Sequence, residues 1–122
     1  MRRLLLVSLF AVSGCGVLPI GSKSARCDLR PNRDQCTDIR NFVGPSLVTF
    51  QGVCETLKSA AGGATYTENA TCDSGSSLGG CQGTSAEGSK QTNWYYQGSS
   101  YPDAAAAMSQ CDSGQTWVGP QQ

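Results

Sequence analysis

Six cysteines, spread over a chain with few large apolar residues, constrain the fold more than any other feature. From residue 27 onward the chain holds only eleven Leu, Ile, Val and Phe residues, against twelve Gly and eleven Ser. A core that small is normally too weak to hold a domain together by itself. Three disulfide bonds, at about 2 to 4 kcal/mol each, would supply stability comparable with that of a whole small domain. The sequence therefore predicts disulfides among Cys27, Cys36, Cys54, Cys72, Cys81 and Cys111.

The seventh cysteine, Cys15, follows an N-terminal segment with the features of an export signal. Arg2 and Arg3 precede an apolar run of nine residues, 4–12. That run is too short for a membrane-spanning helix, which needs about 20 residues. It fits the apolar region of a signal peptide, which needs about 7 to 15. Export would place the cysteines in an oxidising compartment, where disulfides form.

The tetrapeptide Val12-Ser13-Gly14-Cys15 resembles the lipobox of bacterial lipoproteins. This resemblance implies that residues 1–14 are a lipoprotein signal peptide and that Cys15 receives lipid, such as palmitate, on its sulfur and amino group. Two or more acyl chains give stable anchoring, whereas one gives only reversible attachment. Gly16 after the acylated cysteine implies the outer membrane if the host is Gram-negative. We therefore expect a protein bound to membrane lipid through Cys15.

The rest of the chain resembles small cysteine-rich envelope lipoproteins of uncharacterised function. The resemblance rests on Cys27-Asp28, Cys54 with Gly62-Gly63, Gly80-Cys81 and Trp94-Tyr95-Tyr96. It implies a location in the cell envelope and no particular activity.

Composition argues against catalysis, metal binding and nucleic-acid binding. The chain has no histidine, so it lacks an imidazole base or a His-paired nucleophile. The sequence contains no CxxC pair that would indicate a metal site. Its carboxylates are scattered and form no paired motif. Without residues 1–14, the chain has seven basic and nine acidic residues. This composition does not provide the clustered basic surface of a nucleic-acid-binding protein. We expect no enzyme activity, no cofactor, no metal and no nucleic-acid partner.

Local patterns predict an α+β fold with short antiparallel strands and two helices. Residues 15–26 are predicted to form a flexible tether, and residues 27–122 are predicted to form the cysteine-rich domain. Strands are predicted over 37–42, 64–68 and 115–118, and a hairpin turns near Glu87-Gly88. One helix is predicted to begin at Gly44-Pro45-Ser46 and a second at Pro102-Asp103. The buried positions expected on these helices are Leu47, Phe50, Cys54, Leu57 and Ala61 on the first, and Ala104, Met108 and Cys111 on the second.

Cysteine spacing suggests an internal duplication, with repeats at 27–71 and 72–122. Each half holds three cysteines, and the first two in each half are separated by eight residues. Sequence allows fifteen pairings of six cysteines, and two remain in view. The symmetric scheme pairs Cys27 with Cys36, Cys72 with Cys81 and Cys54 with Cys111. The other pairs Cys36 with Cys54, Cys81 with Cys111 and Cys27 with Cys72.

The aromatic cluster Trp94, Tyr95, Tyr96 and Tyr101 has two interpretations. With so few aliphatic residues, we expect these rings to fill the core. The alternative is an exposed patch that binds a small ligand or a glycan, because Tyr and Trp beside Ser and Gly make effective recognition surfaces. The function predicted from sequence is accordingly a membrane-anchored envelope lipoprotein with a non-catalytic binding or structural domain, whose partner is an envelope protein or glycan. The alternative is a small-ligand or glycan-binding module that uses the four aromatic residues.

Overall fold

The computed structural model describes residues 23–121, which form a six-stranded antiparallel sheet with two helices. The elements in chain order are β1 (Lys23–Asp28), β2 (Gln35–Phe42), α1 (Gly44–Ala60), β3 (Thr65–Glu68), β4 (Gly79–Thr84), β5 (Lys90–Tyr95), α2 (Ala104–Met108) and β6 (Thr116–Val118). Strands and helices are both present, but the domain is mostly sheet, so the α+β expectation is met only in part. The predicted signal peptide, 1–14, and the predicted lipidation site, Cys15, lie outside the described residues.

The two halves of the chain have the same order of elements. Each half runs strand, strand, helix, strand, and the sheet order is β3-β1-β2-β5-β4-β6. The half-sheets β3-β1-β2 and β6-β4-β5 therefore correspond, and the antiparallel pairing of β2 with β5 joins them. Cys27 on β1 occupies the place of Cys81 on β4. The cysteine spacing had suggested Cys72 as the counterpart of Cys27, and that correspondence is wrong because Cys72 lies between β3 and β4.

One row of side chains crosses the whole sheet and shows this correspondence. Residues directly opposite each other on neighbouring strands point to the same face. The row runs in sheet order through Tyr66, Cys27, Thr37, Asn93, Cys81 and Trp117. An aromatic residue and a cysteine thus lie on each side of the central pair, Thr37 and Asn93. Cys27 is bonded to Cys54 in α1 and Cys81 to Cys111 just after α2, so both helices lie over this same face.

All six cysteines pair, which confirms the disulfide-stabilised domain. The bonds join Cys27 to Cys54, Cys36 to Cys72 and Cys81 to Cys111, with Cα atoms 5.7, 6.0 and 5.2 Å apart. The symmetric pairing predicted from sequence is wrong in all three bonds, and the second scheme is right only for Cys81 with Cys111. Cys27 and Cys36 lie on neighbouring strands at different registers, because Cys36 faces Asp28 and Cys27 faces Thr37. They therefore point to opposite faces of the sheet.

Strand β1 was not predicted, and it shortens the expected tether. Residues 23–26 were assigned to the tether, but β1 begins at Lys23 and pairs with both β2 and β3. Only Ala25 and Cys27 of this strand are fully buried. A segment with two small buried residues has little local preference for a strand. Its conformation depends on the two strands beside it.

Helix α1 matches most of its prediction, although Leu57 and Ala61 are only half-buried and Ala61 lies just beyond the helix, whereas α2 matches less well. Pro45 lies in the first turn of α1, where its missing N–H costs nothing, and Leu47, Phe50 and Cys54 are buried with Ala25 and Ile39 in one core cluster. Helix α2 has five residues, with Asp103 as its N-cap through a hydrogen bond of 2.8 Å from the Ala106 N–H. The predicted buried face is wrong in part: Ala107 is buried, Ala104 and Met108 are exposed, and Cys111 lies beyond the helix.

The other face of the sheet is covered by the connection from β3 to β4. This segment, residues 69–78, is fixed to β2 by the bond between Cys36 and Cys72. Beneath it lie Trp94 and Tyr96, which form a second buried cluster with this disulfide. Both faces of the central strands are therefore covered at least in part, and this explains why neighbouring residues of β2 are buried on opposite sides.

Candidate binding groove

Helix α1 leaves a groove on the face of the sheet that it covers. The helix packs on β1 and β3 at one side of the sheet. Beside it, the faces of β2 and β5 form the floor of a groove of about 450 Å³. Ligand pockets commonly enclose about 300 to 1,000 Å³. We call this concavity the α1 groove and treat it as the candidate functional site.

The wall of the α1 groove is apolar. It consists of the disulfide between Cys27 and Cys54, together with Ile39, Phe42, Phe50, Val53 and Leu57. Phe50 and Ile39 belong to the buried core, whereas the side chain of Val53 is 52% exposed. An exposed valine beside a concave apolar surface offers further apolar area to an occupant. Removing apolar area from water is worth about 25 cal/mol per Å².

The floor and rim of the groove carry neutral polar groups. These are the amides of Gln35, Gln91 and Asn93 and the hydroxyls of Thr37, Ser46 and Thr49. At the centre of the floor, the Thr37 hydroxyl donates a hydrogen bond of 2.8 Å to Oδ1 of Asn93. That bond fixes the orientation of the Asn93 amide, whose NH₂ group has two donors of its own.

Among the described residues, none that lines the groove is ionisable, since its two cysteines are joined in a disulfide. General acid–base catalysis needs a titratable group within hydrogen-bond reach of the reacting atom. A groove that combines an apolar wall with neutral hydrogen-bonding groups is instead suited to hold an uncharged occupant. Sequence reasoning missed this site, because it arises from β2, α1 and β5, which are distant along the chain.

The four aromatic residues singled out from sequence lie elsewhere and are mostly buried. Trp94, Tyr95 and Tyr96 are 0%, 5% and 7% exposed, and Tyr101 is half-buried. The rings of Tyr95 and Tyr101 pack edge to face, with centroids 4.7 Å apart. These rings fill the core, as expected from the shortage of aliphatic residues. Trp94, Tyr95 and Tyr96 therefore do not provide the exposed aromatic patch of the alternative interpretation.

Tyr96 holds the connection over the second face of the sheet in place. Its hydroxyl donates a hydrogen bond of 2.7 Å to the Asp73 carbonyl, and the Arg30 guanidinium lies 4.1 Å from its ring centroid. Burial raises the pKa of Tyr96 to about 12, although the Arg30 charge acts in the opposite direction. Arg30 also forms a bidentate ion pair with Asp28, at 3.0 and 2.9 Å.

Asp38 is a second residue that sequence reasoning missed. Its carboxylate is fully buried, and Oδ2 accepts hydrogen bonds from the Cys72 N–H at 3.0 Å and from Nε1 of Trp94 at 3.1 Å. Arg40 approaches the same oxygen at 3.4 Å. The carboxylate thus joins β2, β5 and the 69–78 connection. Asp38 lies inside the folded structure and away from the α1 groove, so its role is structural.

Two features were sought among the described residues and are absent there. Within residues 23–121, no group of three Cys, Asp or Glu side chains is arranged to hold a metal ion. In the same part of the chain, no helix has the length and apolar character needed to cross a membrane.

A scan against protein-family models, a search of curated proteins and a search of solved structures each found no match for this chain.

Proposed function

We propose that this chain is a lipid-anchored protein of the bacterial cell envelope whose domain binds an uncharged part of another envelope component in the α1 groove. The observation that carries the binding role is the groove itself, which has an apolar wall, a neutral polar floor and no ionisable lining residue among those described. The anchor rests on the resemblance of Val12-Ser13-Gly14-Cys15 to a lipobox. The protein is not an enzyme in this proposal and needs no metal or cofactor.

A polypeptide segment of an envelope protein is the partner that this groove fits best. Its apolar side chains would pack against Phe50 and Val53, while its amides would meet Gln91 and Asn93. Because β2 and β5 are both paired on their two sides, the floor presents side chains and no free backbone ladder. Specificity would therefore come from side chains and shape.

A neutral small ligand or uncharged glycan is the second candidate, favoured by the volume of the groove. The amide and hydroxyl groups of its floor suit sugar hydroxyls, and Phe42 in the wall offers an aromatic surface. Such a ligand would use the α1 groove instead of the buried cluster around Trp94. We also propose that the matching order of elements in the two halves reflects an internal duplication.

The anchor is tested by Cys15→Ala in cells fed a fatty-acid analogue. We expect the variant to lose the label and to remain unprocessed, because the cysteine sulfur is the lipid acceptor. Labelled and processed Cys15→Ala protein would contradict the anchor.

The groove is tested by crosslinking in intact cells followed by mass spectrometry, with two matched charge substitutions in α1. Val53 lines the groove, whereas Val48 is 69% exposed and does not line it. We expect Val53→Lys to lose the crosslinked partner and Val48→Lys to retain it. A partner that is still crosslinked to both variants binds elsewhere. A partner lost equally from both variants would show that the groove does not determine binding.

A further inference from the structure

We propose that the α1 groove is the docking site of the chain's own apolar segment, Val17–Ile20, which precedes β1. This inference rests on the proposed binding role of the groove, but it does not depend on lipidation of Cys15. A partner of the same chemistry would displace this segment, so the groove would be filled in the isolated protein and exchange its occupant on binding.

The charge and polarity of the segment match those of the groove. Residues 16–22 read Gly-Val-Leu-Pro-Ile-Gly-Ser and contain no charged side chain. Among the described residues, the groove lining is likewise free of ionisable groups. Burying such a segment there therefore desolvates no charge and avoids a penalty on the order of several kcal/mol per ion. Three branched apolar side chains, Val17, Leu18 and Ile20, are available for the wall formed by Phe50 and Val53.

The segment ends beside the groove. Lys23, the first residue of β1, pairs with Phe42, which lines one end of the groove. The floor then follows β2 to Gln35, a span of about 23 Å at ~3.3 Å per strand residue. Because β1 runs antiparallel to β2, the chain before Lys23 must turn back to enter the groove, and Gly21-Ser22 would form that turn. The four residues Val17–Ile20 then reach at most about 14 Å at ~3.5 Å each. They are therefore long enough to lie along more than half of this span, from the end at Phe42.

The proline at position 19 suits this docking mode. Proline lacks an N–H and would disrupt a strand added to a sheet edge. The groove floor is the face of two strands that are already paired on both sides. An occupant on that face needs no backbone ladder, so Pro19 loses no hydrogen bond by lying there.

The test places a photo-crosslinking amino acid, benzoylphenylalanine, at Val53 of the full-length protein purified away from other envelope proteins, with Val48 as the matched control. Trypsin cleavage after Arg40 and Lys58 leaves both positions on one peptide, 41–58. Cleavage after Lys23 releases the peptide that contains Val17–Ile20. After reduction, we expect the Val53 probe to join these two peptides within a monomer and the Val48 probe not to do so. The Leu18→Ser/Ile20→Ser variant should lose the crosslink.

Four results would overturn the inference: no crosslink from Val53 to the peptide ending at Lys23, an equal crosslink from Val48, a crosslink formed only between two copies, or a crosslink unaffected by the serine substitutions. Six unreactive cysteines beyond residue 22 would verify folding of each variant. If the Val53 probe prevents folding, Thr49 offers a second exposed position in the groove lining.

The two proposals fail separately. A Val53 probe that captures another envelope protein in intact cells, but forms no self-crosslink in the purified protein, would refute self-docking and leave the proposed function standing. A self-crosslink in a protein that takes up no fatty-acid label would refute the anchor and leave self-docking standing.

Discussion

Replacing Asp38 by alanine should destabilise the domain strongly, because this carboxylate is the acceptor for two buried donors. The Cys72 N–H and Nε1 of Trp94 both donate to Oδ2, at 3.0 and 3.1 Å, in a region where Trp94 is 0% exposed. Asp38→Ala would leave both donors without an acceptor and without access to bulk water.

The expected loss follows from the cost of unpaired buried groups. Each buried donor left unsatisfied costs about 1 to 3 kcal/mol, so two give roughly 2 to 6 kcal/mol. Removing the buried negative charge offsets part of this, since a buried ion carries a desolvation penalty. We expect a net loss of about 3 kcal/mol in the free energy of unfolding, a large part of the ~5 to 15 kcal/mol of a typical domain.

Asp38→Asn is the matched control, because its amide oxygen can still accept from both donors. We expect a smaller loss, about 2 kcal/mol, because the pair with Arg40 weakens and the new NH₂ group replaces Oδ1, which is buried without a hydrogen-bond partner. The assay is guanidinium unfolding under non-reducing conditions, followed by circular dichroism. Trp94→Phe, alone and with Asp38→Ala, completes a double-mutant cycle, in which we expect a coupling energy of about 1 to 2 kcal/mol.

Two results would refute this reasoning. If the free energy of unfolding of Asp38→Ala lies within about 1 kcal/mol of that of the unmodified protein, the two donors must find other acceptors, because two unsatisfied buried donors would cost more. A coupling energy near zero in the cycle with Trp94→Phe would show that the hydrogen bond between Asp38 and Trp94 does not contribute to stability.

Three further predictions concern packing, ionisation and crosslinking. Gly80→Ala should lower the free energy of unfolding by about 1 to 3 kcal/mol in thermal unfolding, since a Cβ there would lie 2.7 Å from the Thr92 methyl and 2.9 Å from the Asn93 carbonyl oxygen. Gly83→Ala in the same strand is the control, because its Cβ would meet nothing within 4 Å and its effect should be nearly neutral. The raised pKa of Tyr96, about 12, predicts stability that is complete below pH 10 and falls as the pH rises from 10 to 12, and a Tyr96→Phe variant should show a shallower fall in alkaline denaturation. Replacing Cys36 and Cys72 together by alanine should cost about 3 to 4 kcal/mol by loop entropy, and an unchanged melting temperature would contradict the assigned bond.

Elements with a strong local pattern could be predicted from sequence, and α1 is the best example. Its apolar residues recur every three or four positions behind a proline, and the observed helix follows them. The alanine run of α2 has no such periodicity, so its buried face could not be identified. Strand β1 was missed because its stability comes from β2 and β3, which lie on either side of it.

The disulfide pairing and the candidate site depend on contacts between distant parts of the chain. Cys36 meets Cys72 only because the connection from β3 to β4 crosses the second face of the sheet. Asp38 follows Thr37 in a strand whose two faces are both covered, so simple alternation of polar and apolar residues did not reveal its burial. The α1 groove exists because α1 packs to one side of the sheet, which no local pattern specifies.

The disulfides also determine how the domain would carry a mechanical load. A pull on Lys23 could peel only residues 23–26 from the sheet, about 14 Å of chain at ~3.5 Å per residue, before tension reaches Cys27. Force then passes along residues 28–35 to Cys36 and through the sulfur atoms to Cys72, because this covalent path is shorter than the one through Cys54, and it bypasses residues 37–71. The bond between Cys81 and Cys111 likewise relieves residues 82–110. Most of the groove lining lies within these two unloaded loops, so its shape would persist while the chain is under tension.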